Sequence, residues 1–236
     1  MILRSVVFKA SKFERIWFSV PEVKSSHLLR IHGYRENQNI KPIIKDAALT
    51  AIDRLKVNCT PQGVFCLQEI QDLEVDKLVL VSGIEFKCPV FECMLAESTH
   101  IISFVITLGD EIDKKIASYS KDVSEPLASL FLETASRLCL EQVLRELRSK
   151  LIKYALINEM RLGNRLAPGY SYKLRKSNKK VMWRLEEQRK LFDTFQDFDL
   201  PVELMESFTI FPRMSRSGIF GLQKEIIDRK KLLTRK

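Results

Sequence analysis

The sequence predicts an α+β fold: one domain with a mostly antiparallel, twisted sheet flanked by helices. Three observations lead there. Strand-like and helix-like runs are mixed without regular βαβ alternation, and no repeat or low-complexity segment appears. The 236 residues are 45% hydrophobic, enough to bury one sizeable core.

The first twenty residues carry ILRSVVF and RIWFSV, β-prone runs ending at Pro21, so a strand or hairpin at a sheet edge is expected. Residues 40–57, IKPIIKDAALTAIDRLKV, set Ile43, Ile44, Ala47, Ala48, Ala51, Ile52 and Leu55 at spacings of three and four, which makes one apolar helix face. Three strand-like runs follow: GVFCLQEI from Gly63, KLVLVSGIEF from Lys77 and HIISFVITLG from His100, with a short helix at 89–97 before the last. The third is apolar almost throughout, as in a strand covered on both faces. It stops at Gly109 before DEID, whose acids suit a helix N-terminus.

Residues 126–160 form helix throughout, as one long helix or a pair, with Leu127, Leu130, Leu138, Val143, Leu144, Leu147 and Leu151 on the core stripe. RLEEQRKLFDTFQ at 184–196 is a further amphipathic helix. Strand-like VELMESFTIF, the turn FPRMSRSG and a basic tail, GLQKEIIDRKKLL, close the chain as helix or strand.

Lys and Arg number 39 against 30 acids, a net charge of +9, which permits nucleic acid, an acidic protein or a phosphate-bearing ligand as partner. The excess concentrates in residues 173–180 and in the tail, where a solvated face is the plain alternative. The nucleic-acid reading lacks aromatic interleaving on the basic segment beyond Tyr172 and Trp183.

Cys59, Cys66, Cys88, Cys93 and Cys139 match no zinc spacing, and His27, His32 and His100 are not grouped with them. An odd cysteine count without a signal peptide suggests free thiols and a cytoplasmic setting. No segment approaches the ~20 apolar residues needed to cross a bilayer. No nucleophile spacing supports a hydrolytic triad.

RLAPGY, residues 165–170, stands between a helical pattern and the basic run SYKLRKSNKK. Pro168 fixes its own φ and biases Ala167 toward extended geometry, while Gly169 tolerates angles other residues avoid, so the hexapeptide reads as a shaped loop or a plain helix terminator. Four segments in order then carry more than any one of them: LLRIHGY at 28–34, ISFVITLGDEID at 102–113, NRLAPGY at 164–170 and ESFTIFPRMSRSGIFGL at 206–222. Arg-x-x-Pro-Gly-Tyr, then LEEQRKLF, then Ser-Phe-x-x-x-Pro-x-x-Ser-x-Ser-Gly, resembles the activation domain of cobalamin-dependent methionine synthase, in particular its free-standing form. The similarity is weakest before residue 25 and after residue 222.

The resemblance implies an S-adenosylmethionine-binding module within a methionine synthase system, a methyltransferase activity incomplete without its partner. Cobalamin carried by that partner's corrinoid-binding core takes one electron, from a flavodoxin-like or other donor, and a methyl group from S-adenosylmethionine. The cofactors own the chemistry; the protein binds and orients them.

On this reading Arg165 forks onto the ligand's carboxylate, and Gly169 admits main chain close to it. The backbone at Ala167 and Pro168 meets the adenine edge, and Tyr170, the catalytic candidate, faces the corrinoid or caps the methyl donor. Glu159 and, by a looser match, Glu141 serve the ammonium, and Ser215, Ser217 and Gly218 lie near the cofactor face. Their structural alternatives are a helix cap for Arg165, an exposed i,i+4 partner for Glu159, a core ring for Tyr170 and an ordinary turn for the serines and glycine.

Two features depart from the family pattern. A longer basic insertion, about 171–183, intervenes after PGY, as an idle loop, a lid or a docking patch for an acidic corrinoid protein or electron donor. Ile210 stands where a Met is common. A non-catalytic S-adenosylmethionine-responsive protein serving another corrinoid methyltransferase is the alternative function. Neither nucleic acid nor membrane is an expected partner.

Overall fold

The computed structural model describes residues 13–35, 39–121, 126–174 and 178–224. The N-terminal run up to residue 12 and the tail beyond 224, parts of the segments where a strand or hairpin and a basic helix or strand were expected, lie outside them.

A strand β1 (Phe13–Trp17) is followed by helices α1 (Ser25–Ile31) and α2 (Pro42–Asn58). Next come strands β2 (Gln62–Leu73), β3 (Lys77–Leu80) and β4 (Glu85–Lys87), the short helix α3 (Val90–Met94) and strand β5 (Ser98–Thr107). Helices α4 (Asp110–Ser120) and α5 (Pro126–Ile157) lead to β6 (Met160–Leu166). A hairpin of β7 (Ser171–Lys173) and β8 (Lys180–Met182) precedes a 3-10 turn (Leu185–Glu187) and α6 (Gln188–Asp193). The two-residue strands β9 (Glu203–Leu204) and β10 (Ile210–Phe211) precede β11 (Ser215–Lys224).

The main sheet has seven strands in the order β4-β3-β2-β5-β11-β6, with β1 also on β2. Every pairing is antiparallel, so the expected α+β architecture is the observed one. The long β2 serves two neighbours on one side: Gln62–Cys66 pairs β1 and Ile70–Leu73 pairs β3. β1 is thus the edge strand the sequence suggested.

Hydrophobic cores lie on both faces of the sheet. Ile102, Phe104 and Ile106 of β5 point to one core with α2, α4 and α5, while Ile101 and Val105 point to the other with α3 and α6. That double burial explains why β5 reads as a continuous apolar run.

α5 is one helix of 32 residues. Its buried stripe runs through Leu132, Ala135, Cys139, Leu140, Val143, Leu147 and Leu151; of the expected stripe, Val143, Leu147 and Leu151 are buried, Leu127, Leu138 and Leu144 pack partly buried against the core, and Leu130 is 48% exposed. Ile43 at the start of α2 is likewise exposed, at 67%, because only the later turns of that helix reach the core. All five cysteines are free, and four are buried.

Two strands run into segments read otherwise: β6 enters the bend RLAPGY, and β11 begins in the expected turn SRSG and continues into GLQK, expected as helix or strand. MRLGNRL is β6, and SRSGIFGLQK is β11, the strand between β5 and β6. The basic insertion is in part the β7–β8 hairpin, and the expected helix at 184–196 shortens to a 3-10 turn and six helical residues. Among the described residues no helix is long and apolar enough to cross a membrane.

Candidate ligand-binding site

β6 ends at Leu166 because Pro168 has no N–H to continue a ladder. The chain then turns through Gly169, whose φ of 82° lies in the left-handed region that favours glycine. Four hydrogen bonds fix the bend. The Gly169 N–H donates to the Trp183 carbonyl (2.7 Å), and the Trp183 N–H returns to the Tyr170 carbonyl (3.0 Å). Tyr172 Oη accepts from the Ala167 N–H (2.7 Å) and donates to the Ala167 carbonyl (3.1 Å). Trp183, wholly buried, packs edge-on against Phe86 and Phe91 with centroids 5.6 and 5.0 Å away. RLAPGY is therefore half strand and half turn, locked from behind by a tryptophan.

A cavity of about 470 Å³ opens at this bend, walled by Ala167, Pro168 and Tyr170 on one side and by Ser215, Arg216 and Ser217 on the other. Leu185, Gln188 and the 208–213 turn complete it. Phe208 in that turn holds a φ of 61°, unusual for a bulky residue and typical of functional loops. The distant motifs RLAPGY and SRSG meet because β6 and β11 are neighbours in the sheet.

The serine hydroxyls are already engaged. Ser215 Oγ donates to the Pro212 carbonyl (2.6 Å) and hydrogen-bonds Thr107 Oγ1 (2.9 Å), while Ser217 Oγ accepts from Gln188 Nε2 (2.6 Å). They shape the wall. Gly218 is needed for closeness: a Cβ there would sit 2.5 Å from the Leu166 carbonyl oxygen and 3.3 Å from Ala167 Cβ. These three residues belong to a strand, not to an ordinary turn.

Arg165 lies within β6 and caps no helix. Its Cζ is 5.0 Å from the centre of the Tyr170 ring, a cation-π contact. Its Nη1 is buried with no hydrogen-bond partner. Tyr170 is 44% exposed, so it is not a core ring. Glu141, on α5, places Oε1 3.9 Å from Arg216 Nε.

Glu159 is not brought in. It sits in the exposed turn between α5 and β6, at a φ of 55°, and the strand carries Arg165 away from it by roughly 20 Å at ~3.3 Å per residue.

Asp113, at the first turn of α4, accepts a hydrogen bond from the Arg213 N–H. Burial raises its carboxyl above the ordinary range, against the lowering effect of the Arg213 and Met214 amides. Burial likewise raises the Tyr172 phenol.

No protein-family model matches the sequence, and no curated protein matches it. Among solved structures, the crystal structure of the MetH reactivation domain bound to AdoHcy superposes with a TM-score of 0.63, at 13% identity, over 92% of this chain and 80% of that one. This chain has the reactivation-domain fold. At that identity the likeness carries the architecture alone, and the site rests on the residues just described. Gln188, Phe208, Arg213 and Arg216 joined it only in three dimensions.

Proposed function

We propose that this protein is an S-adenosylmethionine-binding reactivation module, acting on the corrinoid of a partner methionine synthase that lacks such a domain of its own. One observation carries the reading. In this fold, RLAPGY and SRSG wall a cavity of ligand size, and beside it the Arg165 guanidinium keeps a buried N–H without a partner. An unmet buried donor on a charged group is costly, and a carboxylate satisfies it.

The residues fit the ligand's parts. Arg165 takes the carboxylate and Glu141 faces the ammonium. Ala167 and Pro168 offer an apolar wall with backbone polar groups. Tyr170 closes the mouth with its ring on the Arg165 guanidinium and its exposed edge toward the partner. S-adenosylmethionine supplies a methyl group made electrophilic by the sulfonium, and the partner's corrinoid is the acceptor once reduced by an electron donor such as a flavodoxin. The chain's own task is to hold and orient the donor.

Calorimetric titration with S-adenosylmethionine tests the reading. Arg165→Ala is expected to lose about 1.5–3 kcal/mol of binding, the range for a charged hydrogen bond. Equal binding by both forms refutes the assignment of Arg165. Methyl-labelled ligand, incubated with the reduced corrinoid partner, then separates transfer from mere binding. Label that stays on the ligand while binding persists identifies a non-catalytic S-adenosylmethionine-responsive protein instead.

A further inference from the structure

The resemblance specifies the two serines and the glycine of Ser-x-Ser-Gly and leaves the residue between the serines open. In this chain it is Arg216. Arg165 pairs directly with Phe220 across β6 and β11, so the two side chains share a face of the sheet. Strand alternation puts Gly218 and Arg216 on that face as well, the one covered by α5. Gly218 lies between Arg216 and Phe220 and contributes no side chain; the side chains that close the place its Cβ would take, the Phe104 ring edge at 3.2 Å and Ala167 Cβ at 3.3 Å, are apolar and offer neither arginine a hydrogen-bond acceptor.

Arg216 lines the cavity, and its Nε is buried without a hydrogen-bond partner. Its Nη1 donates to the Ser215 carbonyl (3.0 Å). Glu141 Oε1, at 3.9 Å from Nε, neutralises the charge from a distance too long for a hydrogen bond. Arg165 repeats the condition with its own unpaired Nη1. Two cations on one face of adjacent strands thus hold buried donors that no acceptor among the described residues meets.

We infer that Arg216 is a second carboxylate-binding residue, gripping the amino-acid end of the ligand together with Arg165 while Glu141 receives the ammonium beside it. The inference rests on the proposed S-adenosylmethionine site. It makes the carboxylate, rather than the adenosyl group, the feature by which this chain selects its ligand.

The test compares S-adenosylmethionine with its decarboxylated analogue, S-adenosyl-3-methylthiopropylamine, by calorimetry on the intact chain. The native protein is expected to prefer the carboxylate form by about a hundredfold, and Arg216→Gln to cut that preference by about tenfold. Affinity for the decarboxylated analogue should hardly change. Arg216→Lys, which keeps the charge but not the planar fork, is expected to fall between, and it serves as the readout if the glutamine variant fails to fold. The ratio of two affinities on one sample is independent of the fraction folded, so a purely structural role for Arg216 leaves it unmoved. An unchanged ratio in both variants overturns the inference. Native protein that binds both ligands equally overturns it and leaves the S-adenosyl site standing, whereas native protein that binds neither removes both.

Discussion

Asp113 shows how one side chain near the site sets a measurable pH dependence. It holds the Arg213 amide, and with it the turn that enters β11. Burial raises its folded pKa above the ordinary 3.8, so between those two values the folded chain keeps a proton that the unfolded chain has released. Stability from this group is therefore present at low pH, declines as pH rises through that interval, and stays lower above it. Asp113→Asn keeps an acceptor for the amide and cannot titrate. Denaturant unfolding across pH should give a native-minus-variant difference that declines with pH by less than about 1.4 kcal/mol per pH unit, then levels off. A difference that rises with pH contradicts the assignment. At this scale, half of the site was legible in the sequence. Pro168 and Gly169 announce a bend through backbone chemistry alone, and Ser215, Ser217 and Gly218 stand in a spaced pattern. Glu159 lies off the cavity because spacing says nothing of the extended strand that separates it from Arg165. Gln188 and Arg216 were silent because their orientation depends on which strands become neighbours.

Among the elements, those that announce themselves do so by burial. β5 is apolar because it is covered twice, and α2 and α5 carry stripes at helical spacing. β6 and β11 gave no such signal: MRLGNRL and SRSGIFGLQK are polar or glycine-rich, and they become strands by pairing with each other and with β5. The β7–β8 hairpin was hidden by its charge. What holds it is Trp183, which closes the hairpin, bonds the Gly169 bend through its backbone and fills the space against Phe86 and Phe91. Its Nε1 has no hydrogen-bond partner, so its contribution is packing. Trp183→Ala is expected to cost about 3–5 kcal/mol in unfolding free energy, as large-to-small core changes do. Trp183→Phe retains most of the ring and removes an unsatisfied N–H, so it should cost distinctly less. Equal losses for the two variants would mean that the indole N–H, not the ring, matters.

For the whole molecule, the +9 charge is the property that reaches beyond the site. Part of it is displayed on the hairpin beside the cavity mouth, where Lys173 and Lys180 are direct cross-strand partners. Like charges in that position destabilise a hairpin by a few tenths of a kcal/mol to about 1 kcal/mol, a cost the fold bears while both remain exposed. On the proposed function, an acidic partner would offset that repulsion on docking, and its approach would bring a corrinoid to the face where Tyr170 is exposed. The expected consequence is kinetic. Association of the chain with an acidic corrinoid partner, followed by stopped flow, should slow steeply as salt is raised. The double variant Lys173→Glu, Lys180→Glu should associate about tenfold more slowly at low salt, with a flatter salt dependence. Neither lysine lines the cavity, so S-adenosylmethionine affinity should stay within about twofold of native, since surface changes away from a site rarely exceed ±0.5 kcal/mol. An association rate indifferent to both salt and charge reversal would reduce the hairpin to a solvated surface feature and leave the cavity as the chain's sole means of recognition.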